Sequence, residues 1–249
     1  VSSGRRAVRS IFLRELRIMN RTPVFLLNGI LTVVLLPVLF VFATLTGADR
    51  QPGDIPGLPA EGNAPFFTLG LALFFTVCGS VHGAAASSFS REGAQFWISR
   101  VIPMPPPVQV TAKFLHAYLI GALGIAAAAA AAAFSLPVPP ARLCTAAALA
   151  LAVTALFTAV GMILDLARPL LDWTNPQKAM KQNLNVLLSM VADAGILALA
   201  YWGICAALRA GMSEGALLAL LMAVASLCAA CSFLALRAFS LKRYPEIES

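Results

Sequence analysis

The residues able to do chemistry in this chain are few, and each stands against an apolar background. Asp193 is the one acid well inside an apolar run. About eight residues separate it from the start of that run, which places it roughly 12 Å along a helix, near mid-bilayer. An ionised carboxylate there costs on the order of 2.5–3.5 kcal/mol, so it must face other helices or water. Two readings stay open for it: a protonated or hydrogen-bonded helix contact, with Ser189 one turn away, or a pathway or gating residue. His82 and His116 lie on different runs and read as packing histidines. Cys228 and Cys231 form a C-x-x-C, but no second pair or histidine stands nearby. Cys78, Cys144 and Cys205 are scattered through apolar sequence, so neither a zinc site nor a disulfide framework is supported. Neither G-x-x-x-x-G-K-[ST] nor H-E-x-x-H occurs. The chain therefore lacks a phosphate loop for a nucleotide and the helical zinc motif of a metalloprotease. Three polar islands remain: Ser90-Arg91-Glu92-Gly93, Phe96-Trp97 and Asp172-Trp173-Thr174-Asn175-Pro176.

The elements that must position them are membrane helices. Of 249 residues 59% are hydrophobic and only 12% charged, where a soluble domain carries about 25%. With a mean hydropathy of +0.83 this is an all-α polytopic membrane protein. The net charge of +7 is to be read by side of membrane, not as a nucleic-acid footprint. Six apolar runs, about 23–46, 66–88, 113–134, 143–165, 184–208 and 215–238, are each long enough to cross. Placing the breaks on alternate sides puts fifteen basic residues on one side, among them Arg5, Arg91, Arg100, Lys113, Arg168, Lys178 and Arg243. Only Arg50, Arg142 and Arg209 fall on the other. That split predicts six transmembrane helices with both termini cytoplasmic. Residues 1–22 then form an elbow, 23–238 the transmembrane domain and 239–249 a cytoplasmic tail.

Within the elbow, residues 7–21 read as an amphipathic helix lying in the interface. Val8, Ile11, Phe12, Leu16 and Met19 share one face, while Arg9, Arg14, Arg17 and Arg21 gather on the other, within reach of anionic headgroups. Pro23 suits the turn into the first run, and Pro37 should kink it. The outer loop 47–65, rich in Gly, Pro and acids, reads as irregular. The alanines of 126–133 suit a span inside the bundle, and Gly79-x-x-x-Gly83 suits close helix packing. Asp165, at the end of the fourth run, is placed to pair with Arg168.

Both long cytoplasmic loops carry islands. Residues 87–112 predict a helix of about three turns stopped by Pro103 and Pro105–Pro107, with Phe96-Trp97 at the interface or in a partner. Residues 166–184 predict a polar turn leading into a helix. On the residues alone, two interfacial loops anchored by tryptophan explain as much.

Ser90-Arg91-Glu92-Gly93…Phe96-Trp97…Arg100…Ile102-Pro103…Ala112-Lys113 resembles the first cytoplasmic loop of bacterial ATP-binding cassette (ABC) permeases of the type-2 exporter kind. Asp165-Leu166…Pro169-Leu170…Trp173-Thr174-Asn175-Pro176…Ala179…Lys181-Gln182-Asn183 is similar to a second block of that family. Arg14-Glu15-Leu16…Asn20-Arg21-Thr22-Pro23 is similar to its opening helix. The resemblance is to the C-terminal part of members that often carry more than six spans. It implies a multi-pass subunit of the bacterial inner membrane, paired as a homodimer or with a second permease half. The permease would perform no chemistry and bind no cofactor, ATP and Mg²⁺ residing on a separate cytosolic ATPase. Arg91, Glu92, Phe96 and Trp97 are then expected to make the principal contact with that ATPase, supplemented by Asp172, Trp173, Asn175 and Lys178. Two other readings compete: an ion- or proton-coupled transporter or channel using Asp193, and a membrane scaffold that transports nothing.

Overall fold

The computed structural model describes residues 2–46, 64–180 and 182–247. Most of the expected outer loop 47–65, with Arg50, and the single residue Lys181 lie outside the described residues. The described residues are helices and turns with no strand. Among the described residues ten α-helices follow in order: α1 Ser2–Arg21, α2 Pro23–Leu26, α3 Thr32–Thr46, α4 Ala64–Ser80, α5 Phe96–Val101, α6 Pro106–Ser135, α7 Pro140–Ala167, α8 Pro176–Met180, α9 Leu184–Arg209 and α10 Glu214–Glu246.

Among the described residues four stretches are long and apolar enough to cross a membrane: Pro106–Ser135, Pro140–Ala167, Pro176–Arg209 and Glu214–Glu246. The first apolar run makes a fifth if its bent halves are one span. Pro23–Gly29 and Val33–Thr46 meet at 41°, across a π-helical segment at Leu27–Leu31. The bend lies one turn before Pro37, whose ring leaves the carbonyl four residues earlier without its helical donor. The second run is helical only to Ser80 instead of reaching residue 88. Its 17 residues give about 25 Å, short of a hydrocarbon core of about 30 Å. Gly83, at a φ of +61°, turns the chain out of the helix, and residues 84–93 fold back into the protein.

α6 runs through the middle, against α1, α3, α4, α7 and α10. Its alanines make this possible: Ala128 and Ala132 are fully buried among Phe75, Ile125, Ala146 and Ala150. The close approach to α4 does not use Gly79 and Gly83 as a helical pair, because Gly83 is past the helix end. It depends on Gly121 and Gly124 of α6, where a Cβ would run into the main-chain oxygens of Gly79 and Cys78. Prolines preset the starts of α6 and α7. α10, at 33 residues or about 50 Å, outruns the hydrocarbon thickness, so its last turns extend beyond it.

Candidate functional site

The connection between α4 and α6 is expected to be a solvated loop and is instead a plug. Residues Ser87 to Gly93 are buried. A polar backbone can be buried only where its donors find acceptors, and here Asp165 near the end of α7 supplies them. Its Oδ2 accepts from the amides of Phe89 and Ser90 at 2.6 and 3.1 Å. Its Oδ1 accepts from the Ser90 hydroxyl and, at 3.1 Å, from Asn185 Nδ2 of α9. This corrects the expected pairing of Asp165 with Arg168, whose side chain is exposed and whose carbonyl accepts from the same Asn185 amide at 2.7 Å. Ser90 ties in the second loop as well: its Oγ accepts from Leu170 N at 2.9 Å, and its carbonyl accepts from Trp173 Nε1 at 2.7 Å.

The plug also carries charge. Lys113 of α6 is buried, donates to Glu15 Oε1 at 2.8 Å and to Ser88 O at 3.1 Å, and is ion-paired with Glu92 Oε1 at 2.6 Å. Arg14 of α1 reaches Glu92 Oε1 at 3.2 Å and donates to Ser99 Oγ at 2.9 Å. Ser99 in turn donates to Glu92 Oε2 at 2.6 Å. Arg91 is buried beside them, in the field of the Glu15, Asp165 and Glu92 carboxylates. Arg14, Arg91 and Lys113 thus face Glu15, Glu92 and Asp165, and the formal charges cancel. Burial by itself would push the Glu15 carboxyl up, but Lys113 and Arg91 hold it below the usual carboxylate range. Burial pulls the Arg91 guanidinium down, and the three acids offset only part of that.

From the far side the end of α10 closes over the plug. Tyr244 donates to Gln109 Oε1 at 2.9 Å and packs on Phe89 and Phe96. Arg100 Nη1 donates to Ile247 O at 2.8 Å, and Arg243 Nη2 to Ala167 O at 3.1 Å.

The structure brings all three islands together, though not as an exposed surface. Arg91, Glu92 and Phe96 are buried: Glu92 pairs with Lys113 and Arg14 and Phe96 packs on Tyr244, whereas the two terminal nitrogens of Arg91 have no hydrogen-bond partner among the described residues. Of the four residues expected to meet an ATPase first, only Trp97 is open, at 54% exposure. Its neighbours Ile98 and Val101 are 40% and 72% exposed, so the outer face of α5 is apolar. Asp172, Asn175 and Lys178 are exposed, whereas Trp173 is spent on Ser90 and on Phe25, which it meets edge-on. The helix around the aromatic pair is six residues, preceded by a 3₁₀ segment at Ser90–Gln95, not three turns. On α1, Arg9, Arg17 and Arg21 are exposed, but Arg14 belongs to the buried cluster. Ala7, Ile11, Glu15 and Met19, at four-residue spacing, form the buried face and put Arg14 at its edge. Asp193 is half-buried on α9, where it lines a cavity with His82, Ala85 and Ala86.

Sequence reasoning missed Glu15, Ser99, Lys113 and Asn185 as members of one site. Glu15 carried a signal: an acid in register with the apolar positions of an otherwise basic helix needs a buried cation. Nothing comparable marked Ser99 or Asn185.

Gly93 is where the two loops meet, at φ 52° and ψ −138°, and a Cβ there would lie 2.8 Å from the Trp173 ring. Gly93→Ala is therefore expected to cost about 1–3 kcal/mol in backbone strain and to displace Trp173. A red shift of tryptophan emission with a lower unfolding midpoint in detergent checks this; an unchanged spectrum and midpoint would contradict it.

Among the described residues no group of three His, Cys, Asp or Glu side chains is arranged to hold a metal. The chain matches no family model, no curated protein and no solved structure.

Proposed function

We propose that the chain is the membrane-spanning permease subunit of an ATP-binding cassette exporter, driven by a separate cytosolic ATPase. One observation carries this reading: the α4–α6 connection has a locked inner face and an apolar outer one. The inner face is fixed to α1, α6, α7 and α9 through the charge cluster and Asp165. The outer face offers Trp97, Ile98 and Val101 beside polar neighbours, and exposed apolar groups of this kind, tryptophan above all, mark protein contacts. An ATPase pressing on α5 would thus push on four helices at once. Coupling further requires that the two membrane states bind the ATPase differently.

The proposal includes six crossings of the bacterial inner membrane, with the bent first run and the short α4 among them and both termini cytoplasmic. Several observations support this. The basic residues Arg14, Arg91, Arg100, Lys113 and Arg243 gather at one end of the bundle through their contacts. α1 turns the exposed Arg9, Arg17 and Arg21 away from the protein, which suits anionic headgroups. Only 11% of the most apolar part of the Pro176–Arg209 stretch is buried, and 17% of that of α10, against 50% in α7. These outer faces suit lipid and a second permease half or second copy.

A cassette ATPase gene is expected beside that of this chain; co-expressed with that ATPase, the chain is expected to purify as a complex and to raise the enzyme's hydrolysis rate. An ATPase that stays free in the detergent extract, its rate unchanged, would sink the reading.

A further inference from the structure

Between the end of α4, the middle of α7 and the inner side of α9 lies a cavity of about 30 Å³. It is lined by Ser80, His82, Thr154, Thr158, Ser189 and Asp193 among apolar neighbours. Thr154 is 1% exposed, and its hydroxyl has no partner among the described residues. One carboxylate oxygen of Asp193 is likewise without one. Ser80 and Thr158 donate to the carbonyls of Thr76 and Thr154, which leaves their oxygen lone pairs free to accept. Burying such groups unpaired is costly, and a site of roughly 10–15 Å³ already admits a particle the size of water.

The donor set defines the occupant. Hydroxyl and carboxylate oxygens suit a hard cation, and one carboxylate balances one positive charge. His82 Nδ1 accepts from Ala84 N at 3.1 Å, so the imidazole is neutral and brings no competing charge. α4 and α7 line the cavity with no titratable group, and α9 with Asp193 alone. Arg91 of the plug, whose field reaches His82, belongs to the balanced cluster together with Asp165 of α7. We propose that this cavity binds one monovalent cation, a proton held as hydronium or a sodium ion, with Asp193 as its counter-charge and Thr154 and Ser189 as neutral oxygen ligands. α9 is otherwise held mainly by α7 and by Asn185 at its start. The cation is thus a latch that lets the acid of α9 remain against α7, and it works whether or not an ATPase drives the chain.

The test is labelling of the full chain in detergent with dicyclohexylcarbodiimide, which modifies protonated carboxyls in apolar surroundings, mapped to Asp193 by peptide mass. For a proton, labelling falls about tenfold per pH unit above the titration point and ignores sodium. For sodium, sodium chloride but not choline chloride protects Asp193 at fixed pH. Either result supports the site. Labelling that is absent, or constant in both series, overturns it. Thr154→Val keeps the side-chain shape and removes the hydroxyl; it should abolish sodium protection or displace the pH profile by about a unit. A Thr154→Val protein that behaves like the parent in both series also overturns the site.

Discussion

Lys113→Met is expected to be among the most damaging single substitutions in this chain, lowering stability by about 3–5 kcal/mol. Among the described residues Lys113 is the only cation that touches both Glu15 and Glu92, at 2.8 and 2.6 Å, and all three side chains are almost fully buried. Without the ammonium two carboxyls face each other away from water, with Arg14 reaching only one of them. They must then protonate or draw water into the plug, and either change loosens α1 from α6. Methionine keeps the length and helix preference of lysine, so the loss reports charge and not packing. The unfolding midpoint in detergent measures it. Adding Glu15→Leu and Glu92→Gln to the same protein removes the stranded acids and is expected to recover most of the loss, because a buried ion pair replaced whole is nearly neutral. A single Lys113→Met as stable as the parent would contradict this account of the cluster.

The second large effect is expected at Asp165. Asp165→Ala leaves three donors without this acceptor, the amides of Phe89 and Ser90 and the Ser90 hydroxyl, and takes from Asn185 Nδ2 one of its two acceptors, the other being Arg168 O. Each stranded buried group costs about 1–3 kcal/mol, more than the fold-back of residues 84–93 can retain. The plug should therefore leave its seat, exposing Arg91. Trypsin reads this directly, since cleavage after Arg91 requires that residue to reach solvent. The Asp165→Ala protein is expected to be cut there at least ~10 times faster than the parent, a factor that corresponds to only about 1.4 kcal/mol of opening. Asp165→Asn keeps one acceptor oxygen and should fall between the two. Equal cleavage rates in all three proteins would mean that something other than Asp165 holds the loop.

Neither residue announced itself in the sequence, and the reason is physical. Apolar runs and their length are local properties, so the all-helical membrane character, the central position of the alanine-rich α6 and the bend near Pro37 were legible from composition and periodicity. The short α4 was not, because Val81 to Ala86 continue the apolar pattern past Ser80 while a left-handed Gly83 ends the helix. The islands were visible as polar interruptions, yet polarity alone says solvated loop. What buries them is pairing across long stretches of chain, Glu15 with Lys113 and Ser90 with Asp165, which leaves no periodic trace. So the expected docking set divides. Arg91, Glu92 and Phe96 belong to the seat, Trp97 with Ile98 and Val101 to the open face, and Trp173 to the joint between the two loops. The signal at Glu15, one acid among basic and apolar neighbours, was the clearest pointer to the cluster.

The division makes the proposed coupling testable by one measurement, the affinity of the detergent-purified chain for the proposed cassette ATPase. Trp97→Ala with Val101→Asp alters only the exposed face of α5 and is predicted to weaken binding by at least ~10-fold, as the loss of a tryptophan anchor does. Glu92→Gln alters only the buried face and is predicted to leave binding near the parent value while stimulation of ATP hydrolysis falls. If the Trp97→Ala, Val101→Asp protein binds the ATPase as tightly as the parent, α5 is not the docking element and the account fails.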